Sequence, residues 1–364
     1  MKKIHCFIAS LAGGGAEHQI SILANLLVQR DYDVTIVTYN DIPDFYTLNG
    51  DVKRVRLNVK GNRIRKQLQI ISFFLRIKTD CIISFREQMN FISLIPMLFR
   101  PKIKYIAGER NYTIGEPTFY LKVNMGFLYR RADYIVPNNY SQEAFLKKNA
   151  PHLESKIRTV INYTDLDDFP MLPMPLTCDV VKIGVFARFY KQKNYERFAY
   201  AIERLRSITD HRFQVVWYGR FFDSDGSENP GYIEMKTIIN NLGINDVLVL
   251  KDAVKDVKKE AGVFHCLCLP SIYEGFSNSI SEGICLGRPM MVSDVSDNSL
   301  MVHNGENGFL FDPNNIDSIC NAFLSFFKLS YEEIENMAKR SRSIAESLFD
   351  KDQFINSYIK MIEE

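Results

Sequence analysis

Residues 271–289 read "SIYEGFSNSISEGICLGRP" and follow the apolar run "VFHCLCLP" at 263–270. The apolar run has strand character. The stretch "IYEGFSN" holds turn formers, and "SNSISEGICL" has helical spacing, with Ser277 or Asn278 as its cap and Gly287 and Pro289 near its end. A strand–turn–helix unit of this kind is the building block of a parallel α/β sheet. It also creates a site. The turn residues Gly275, Phe276, Ser277 and Asn278 set backbone amides at a helix start, where an anion is favoured. Glu274 precedes those amides and Glu282 lies a turn inside the helix, eight positions on. Two carboxylates on either side of an anion site suit hydroxyl groups at both ends of a ligand with phosphate in its middle. That is the outline of a sugar nucleotide.

Working outward, the same alternation fills the chain. Strand-like runs "KIHCFIAS", "DVTIVTY", "DCIISF", "KIKYIAGE" and "DYIVPN" occupy the first half, and helical segments separate them. After residues 162–179, which hold three prolines and four aspartates without periodicity, the alternation restarts with "VKIGVFA", "FQVVWYG", "DVLVLKD", "VFHCLCLP" and "PMMVSD". The expectation is an α/β protein of two doubly wound domains joined by that linker. A chain of 364 residues is too long for one core, which agrees. The domains predicted are 1–165, together with a last helix at about 347–364, and 176–346. That last helix carries apolar residues at 354, 355, 358, 359, 361 and 362 and needs a surface to pack on.

The formal net charge is +2, but residues 1–175 hold 24 Lys and Arg against 16 Asp and Glu, and the remainder holds 21 against 27. The halves therefore suit different partners. Segment 53–78, "KRVRLNVKGNRIRKQLQIISFFLRIK", has nine basic residues and no acidic one. It reads either as a contact for a membrane surface or anionic ligand, or as a core helix with a solvated basic face. It carries no nucleic-acid-binding motif, and the acidic second half speaks against such a partner. No run of 18 apolar residues occurs, so no spanning helix is expected. The N-terminal "MKKIHCFIASLAGGG" is too short for a signal sequence. Seven cysteines, mostly within apolar runs, read as buried thiols, with Cys266 and Cys268 on one strand face and no second pair to complete a zinc site.

Two further turns carry candidate chemistry. "SLAGGGAEHQ" places Gly13, Gly14 and Gly15 between the first strand and first helix, where glycine lets a backbone approach a ligand. It lacks the spacing of a dinucleotide fingerprint, and a glycine turn without a ligand is the plainer alternative. "VFARFYKQKN" puts Arg188 and Lys193 in the turn after the first strand of the second domain, a planar fork and a compact charge suited to a diphosphate. His18 and His303 are further candidates, with a structural role as the alternative for each.

Taken together, "GGGAE", "INYTDLDDF", "ARFYKQKN" and "EGFSNSISEG" resemble, in order and over nearly the whole chain, the four motifs of the GT-B-fold retaining glycosyltransferases of family 4, which build bacterial surface glycans. The resemblance implies two Rossmann-like domains facing across a cleft, with the last helix crossing back to the first. It implies that Glu282 holds the ribose of the donor and Glu274 the transferred sugar. Arg188 and Lys193 would bind the diphosphate and stabilise leaving-group charge with no metal and no cofactor. Phe276, Ser277 and Asn278 would offer backbone amides, Gly14 and Gly15 would line the cleft, and Ala253 and Val254 would flank the base. Ala187 stands where the family usually has glycine. Glu109, Arg110 and Asn111 stand where it often has a histidine, and with His18 they are candidates for sugar or acceptor contact. The activity implied is transfer of a hexose or N-acetylhexosamine from a UDP-sugar to a lipid-linked saccharide. It would take place on the inner face of the cytoplasmic membrane, with segment 53–78 meeting anionic lipid. A UDP-sugar epimerase of the same fold and a non-catalytic sugar-nucleotide-binding subunit are the alternatives.

Overall fold

The structure is a computed structural model that describes every residue except Ile114, Thr177, Cys178, Ser224 and Lys255. The chain divides into two compact units, Met1–Tyr163 with Asp350–Glu364, and Thr164–Phe349.

The first unit is built on a parallel sheet of β1 (Lys3–Phe7), β2 (Asp33–Thr38), β3 (Lys53–Arg56), β4 (Cys81–Phe85), β5 (Lys104–Glu109) and β6 (Tyr134–Pro137), in the order β3-β2-β1-β4-β5-β6. Strand β4 is buried from end to end and β2 in all but its first residue, as their apolar runs require when helices cover both faces. The core gathers Phe7, Ile82, Tyr105 and Ile135 from the sheet with Phe74, Leu94 and Leu121 from the helices. The last helix, Lys351–Glu363, belongs to this unit. It buries Phe354, Ile355, Tyr358, Met361 and Ile362, and Phe354 stacks on Tyr163 with ring centroids 5.4 Å apart.

The second unit repeats the plan with β7 (Val181–Phe186), β8 (Phe213–Tyr218), β9 (Leu248–Lys251), β10 (Cys266–Leu269), β11 (Met290–Ser293) and β12 (Gly308–Phe311), in the order β12-β11-β10-β7-β8-β9. In each sheet the strand order reverses beside the first strand, between β1 and β4 and between β7 and β10. Ligands of open α/β sheets bind at the carboxyl ends of the strands at that point.

The sequence-based boundaries differ from these units in two places. Residues 164–175 and 347–349 go with the second unit. The connector is fastened there: the buried Arg288 guanidinium donates to Ala261 O at 3.2 Å and Pro173 O at 2.7 Å, and Arg342 donates to Phe169 O and Cys285 O at 2.8 Å each. Such contacts leave no trace in periodicity. Edge strands β3 and β12 also escaped the strand pattern, being four residues each, with "KRVR" charged at three of them. Six cysteines are buried free thiols, and Cys178 lies outside the described residues.

Candidate functional site

The carboxyl ends of β7 and β10 bring together two of the residues singled out in the second unit, Lys193 and Glu274. After β7 the chain runs through Arg188 and Phe189 into a short 3-10 turn, Lys191–Lys193, ended by Asn194 in the left-handed conformation at φ 60°. After β10 it runs through Ile272 and Tyr273 to Glu274. Two hydrogen bonds join these loops: Ile272 N donates to Gln192 O, and Gln192 Nε2 donates to Tyr273 O, both at 2.8 Å. This pairing places Lys193 Nζ 2.5 Å from Glu274 Oε1. The side chains are only 13% and 9% exposed, so the pair is largely shielded from water and screened little by salt. Ser296 Oγ donates to Glu274 O at 2.6 Å and fixes the backbone from the other side.

Arg188 is exposed, and its guanidinium lies over the Tyr190 ring at 4.9 Å. Ala187 is buried beneath it, its carbonyl accepting from Trp217 Nε1 at 2.8 Å. The helix Asn278–Cys285 starts with Ser277 as its cap in extended conformation, without a side-chain cap bond. Ser279 Oγ ties that helix to Phe186 O at 3.0 Å. Gly283 lets the helix approach β11 closely: a Cβ there would stand 2.6 Å from Met290 Sδ. Glu282 is partly buried, and among the described residues its carboxylate has no hydrogen-bond or ion-pair partner. Burial pushes that carboxyl up to about 7. Gly275 is half-buried in the turn, Phe276 is buried against Phe349, and Asn278 is half-buried at the first helical position. Ala253 is exposed and Val254 half-buried on the loop after β9, where Ala253 N donates to Asp252 Oδ1 at 2.8 Å. His303 is set apart on an exposed turn, with Nδ1 3.5 Å from Glu306.

The first unit has its own crevice between β1 and β4, and there an acid and a base also meet. The buried Glu17, in the helix Gly15–Val28 that follows β1, pairs at 3.0 Å with Arg86, which follows β4. Arg86 holds φ 85°, a costly conformation for a side chain of its size. Gly14 caps that helix and exchanges 3.1 Å hydrogen bonds with the Tyr46 hydroxyl, while the His18 ring stacks on Tyr46 at 4.6 Å. Sequence reasoning did not single out Glu17, Arg86, Tyr190 or Ser296. Glu17 stood inside the quoted "GGGAE", but a pairing across strands distant in sequence leaves no local signal.

At the end of β5, Glu109 turns inward. Its carboxylate accepts from Asn90 Nδ2 at 3.0 Å and from the Tyr129 hydroxyl, and burial raises it to about 7. Arg110 is buried with its guanidinium 3.7 Å over the Phe85 ring and donates to the Tyr358 hydroxyl at 2.5 Å, whereas Asn111 is exposed. Among the described residues no cluster of three His, Cys, Asp or Glu side chains is placed to hold a metal, and no helix is long and apolar enough to cross a membrane.

Comparison with known proteins follows the same outline. Residues 179–344 match the family model described as glycosyl transferases group 1. Over the full length of both chains the sequence is 21% identical to the N-acetylgalactosamine-N,N'-diacetylbacillosaminyl-diphospho-undecaprenol 4-alpha-N-acetylgalactosaminyltransferase of Campylobacter jejuni. Over 38% of this chain and 34% of the relative it is 30% identical to the UDP-Gal:alpha-D-GlcNAc-diphosphoundecaprenol alpha-1,3-galactosyltransferase of Escherichia coli. Among solved structures, Anabaena HepE in complex with UDP and glucose superposes with a TM-score of 0.84 at 14% identity, covering 100% of both chains. The fold is GT-B.

Proposed function

The chain carries a group 1 glycosyl transferase domain over residues 179–344 and is a glycosyltransferase, and from that premise we propose that it moves a hexose or N-acetylhexosamine from a UDP-sugar to a saccharide carried on a lipid diphosphate at the membrane surface. The observation that carries the reading is the Lys193–Glu274 pair at the crevice between β7 and β10, with Arg188 exposed in the loop after β7 and Glu282, which has no partner among the described residues, in the helix after β10. In this reading Arg188 grips the diphosphate and takes up charge as it leaves, a preorganised electrostatic role. Lys193 is committed to Glu274. It holds that carboxylate in place to accept hydrogen bonds from hydroxyls of the transferred ring, and supplies only residual charge to the phosphates. Glu282 accepts from the ribose hydroxyls. A carboxylate so tightly paired is a poor nucleophile, which favours retention by front-face departure, with the donor phosphate taking the acceptor proton. The exposed Arg188 guanidinium supplies positive charge at the crevice, which supports a metal-independent reaction.

The acceptor class draws on the two relatives named above, whose names specify diphospho-undecaprenol and diphosphoundecaprenol acceptors. The test is incubation with UDP-hexoses and UDP-N-acetylhexosamines, with and without an undecaprenyl-diphosphate-linked saccharide, in chelator. Acceptor-dependent release of UDP and an anomerically retained product support the reading. Interconversion of donor sugars without acceptor would identify an epimerase, and UDP binding without turnover a non-catalytic subunit.

A further inference from the structure

The loop after β11 reaches back to the turn that holds Glu274, through a residue in an uncommon conformation. Ser296 has φ 51°, in the left-handed region that glycine enters freely and serine only at a cost. The loop is braced on both sides of it. Val295 N donates to Ser293 O at 3.0 Å, Asn298 N to Val295 O at 3.2 Å, and Asn298 Nδ2 to Ser293 O at 3.0 Å. Glycine would meet that backbone more cheaply. What serine adds is a hydroxyl, and the hydroxyl donates to Glu274 O at 2.6 Å.

That carbonyl belongs to a peptide unit whose direction matters. The unit is planar and trans, so the Glu274 carbonyl and the Gly275 N–H point in opposite directions. Holding the carbonyl on Ser296 therefore turns the Gly275 N–H away from the β11 loop. Among the described residues that N–H has no hydrogen-bond partner. Gly275 is half-buried, just before the start of the helix Asn278–Cys285, where an anion is favoured. A peptide next to glycine is also easily turned over, because glycine accepts either sign of φ. The other restraints act elsewhere: Lys193 holds the Glu274 carboxylate, and Gln192 holds the Tyr273 carbonyl one peptide earlier.

We propose that Ser296 is a positioning residue for the donor: its hydroxyl fixes the Glu274–Gly275 peptide so that the Gly275 N–H is presented to a phosphate oxygen of a nucleoside diphosphate. The proposal rests on the reading of this crevice as the UDP-sugar site.

The test compares wild type, Ser296→Gly and Ser296→Ala by UDP titration calorimetry, by melting temperature without ligand, and by transfer to the undecaprenyl-diphosphate-linked saccharide. Ser296→Gly removes the hydroxyl and the strain together, so it should melt within a degree or two of the wild type. It should nevertheless bind UDP about tenfold more weakly, as expected for losing one hydrogen bond to a charged group, and its kcat should fall. Ser296→Ala keeps the strain, so it should melt below Ser296→Gly and show the same loss of UDP affinity. A bond that served the fold alone would cost stability and leave UDP affinity untouched. Wild-type UDP affinity in Ser296→Gly overturns the proposal and leaves the transferase reading standing. Weakened UDP binding in both variants upholds it even where the wild type transfers no sugar, a result that would sink the transferase reading instead. A wild type that binds no UDP overturns both.

Discussion

Lys193 Nζ stands 2.5 Å from Glu274 Oε1 although 81 positions separate the two residues, because β7 and β10 are neighbours in the second sheet and their following loops are hydrogen-bonded to each other. The pair is shielded, and a shielded charge left without its partner is costly. Lys193→Met is therefore expected to destabilise the protein by about 3 kcal/mol. Lys193→Met/Glu274→Gln should recover much of that loss in a double-mutant cycle of urea melts. Transfer activity should remain abolished in both. Additive losses in the cycle would show that the two side chains are not coupled.

Arg188 behaves differently. Exposed and held by little more than the Tyr190 ring, it contributes nothing the fold depends on. Arg188→Ala should leave the melting temperature within a degree or two while lowering kcat about 10²–10³-fold, the range for losing one electrostatic stabiliser. Unchanged kcat with raised KM would instead assign it to ground-state binding.

Glu282 gives stability a pH dependence of definite sign. Its carboxyl titrates near 7 in the folded protein and near its ordinary 4.5 when unfolded, so between those values the folded state holds the extra proton. Stability contributed by the group is thus present below about 4.5 and lost as pH rises through 7. Glu282→Gln should melt higher than wild type at pH 8, with the difference vanishing at pH 4.5, each kcal/mol being worth about 2–4 °C in a domain of this size. The same variant should lose UDP affinity at pH 8, read as a smaller ligand-induced shift. A variant that melts alike at both pH values would contradict the assignment of this carboxyl.

Gly231 touches the site at one remove. A Cβ there would stand 1.9 Å from Phe189 O, in the loop that carries Arg188. That contact is with backbone, so the loop must move. Gly231→Ala should lower both melting temperature and kcat/KM, whereas Gly226→Ala, whose Cβ meets nothing within 4 Å, should cost only the strain of its positive φ and spare activity.

Much of this was legible in the sequence because the signals were local. Ten of the strands announced themselves as short β-branched runs, and the strand–turn–helix at 263–286 could be read from its cap and its glycine alone. What escaped depends on pairing across the sheet. Nothing near Lys193 says that it is taken by Glu274, nor near Arg86 that it pairs with Glu17 and carries a positive φ. Glu109 was a candidate contact by position, but strand alternation does not reveal that Asn90 and Tyr129 wait beneath it. The basic helix was ambiguous because one helix carries both a core stripe and an exposed one, and composition cannot separate them.

The fastening of the connector has a practical meaning for anyone cutting the gene. A fragment begun at Asp179, where the family match starts, would strip Arg288 of Pro173 O and the Met174 sulfur and leave a buried cation with Ala261 O alone. A version of the second unit that starts at Thr164 keeps these partners. Its expression yield as a soluble, folded fragment should exceed that of the shorter one for this reason.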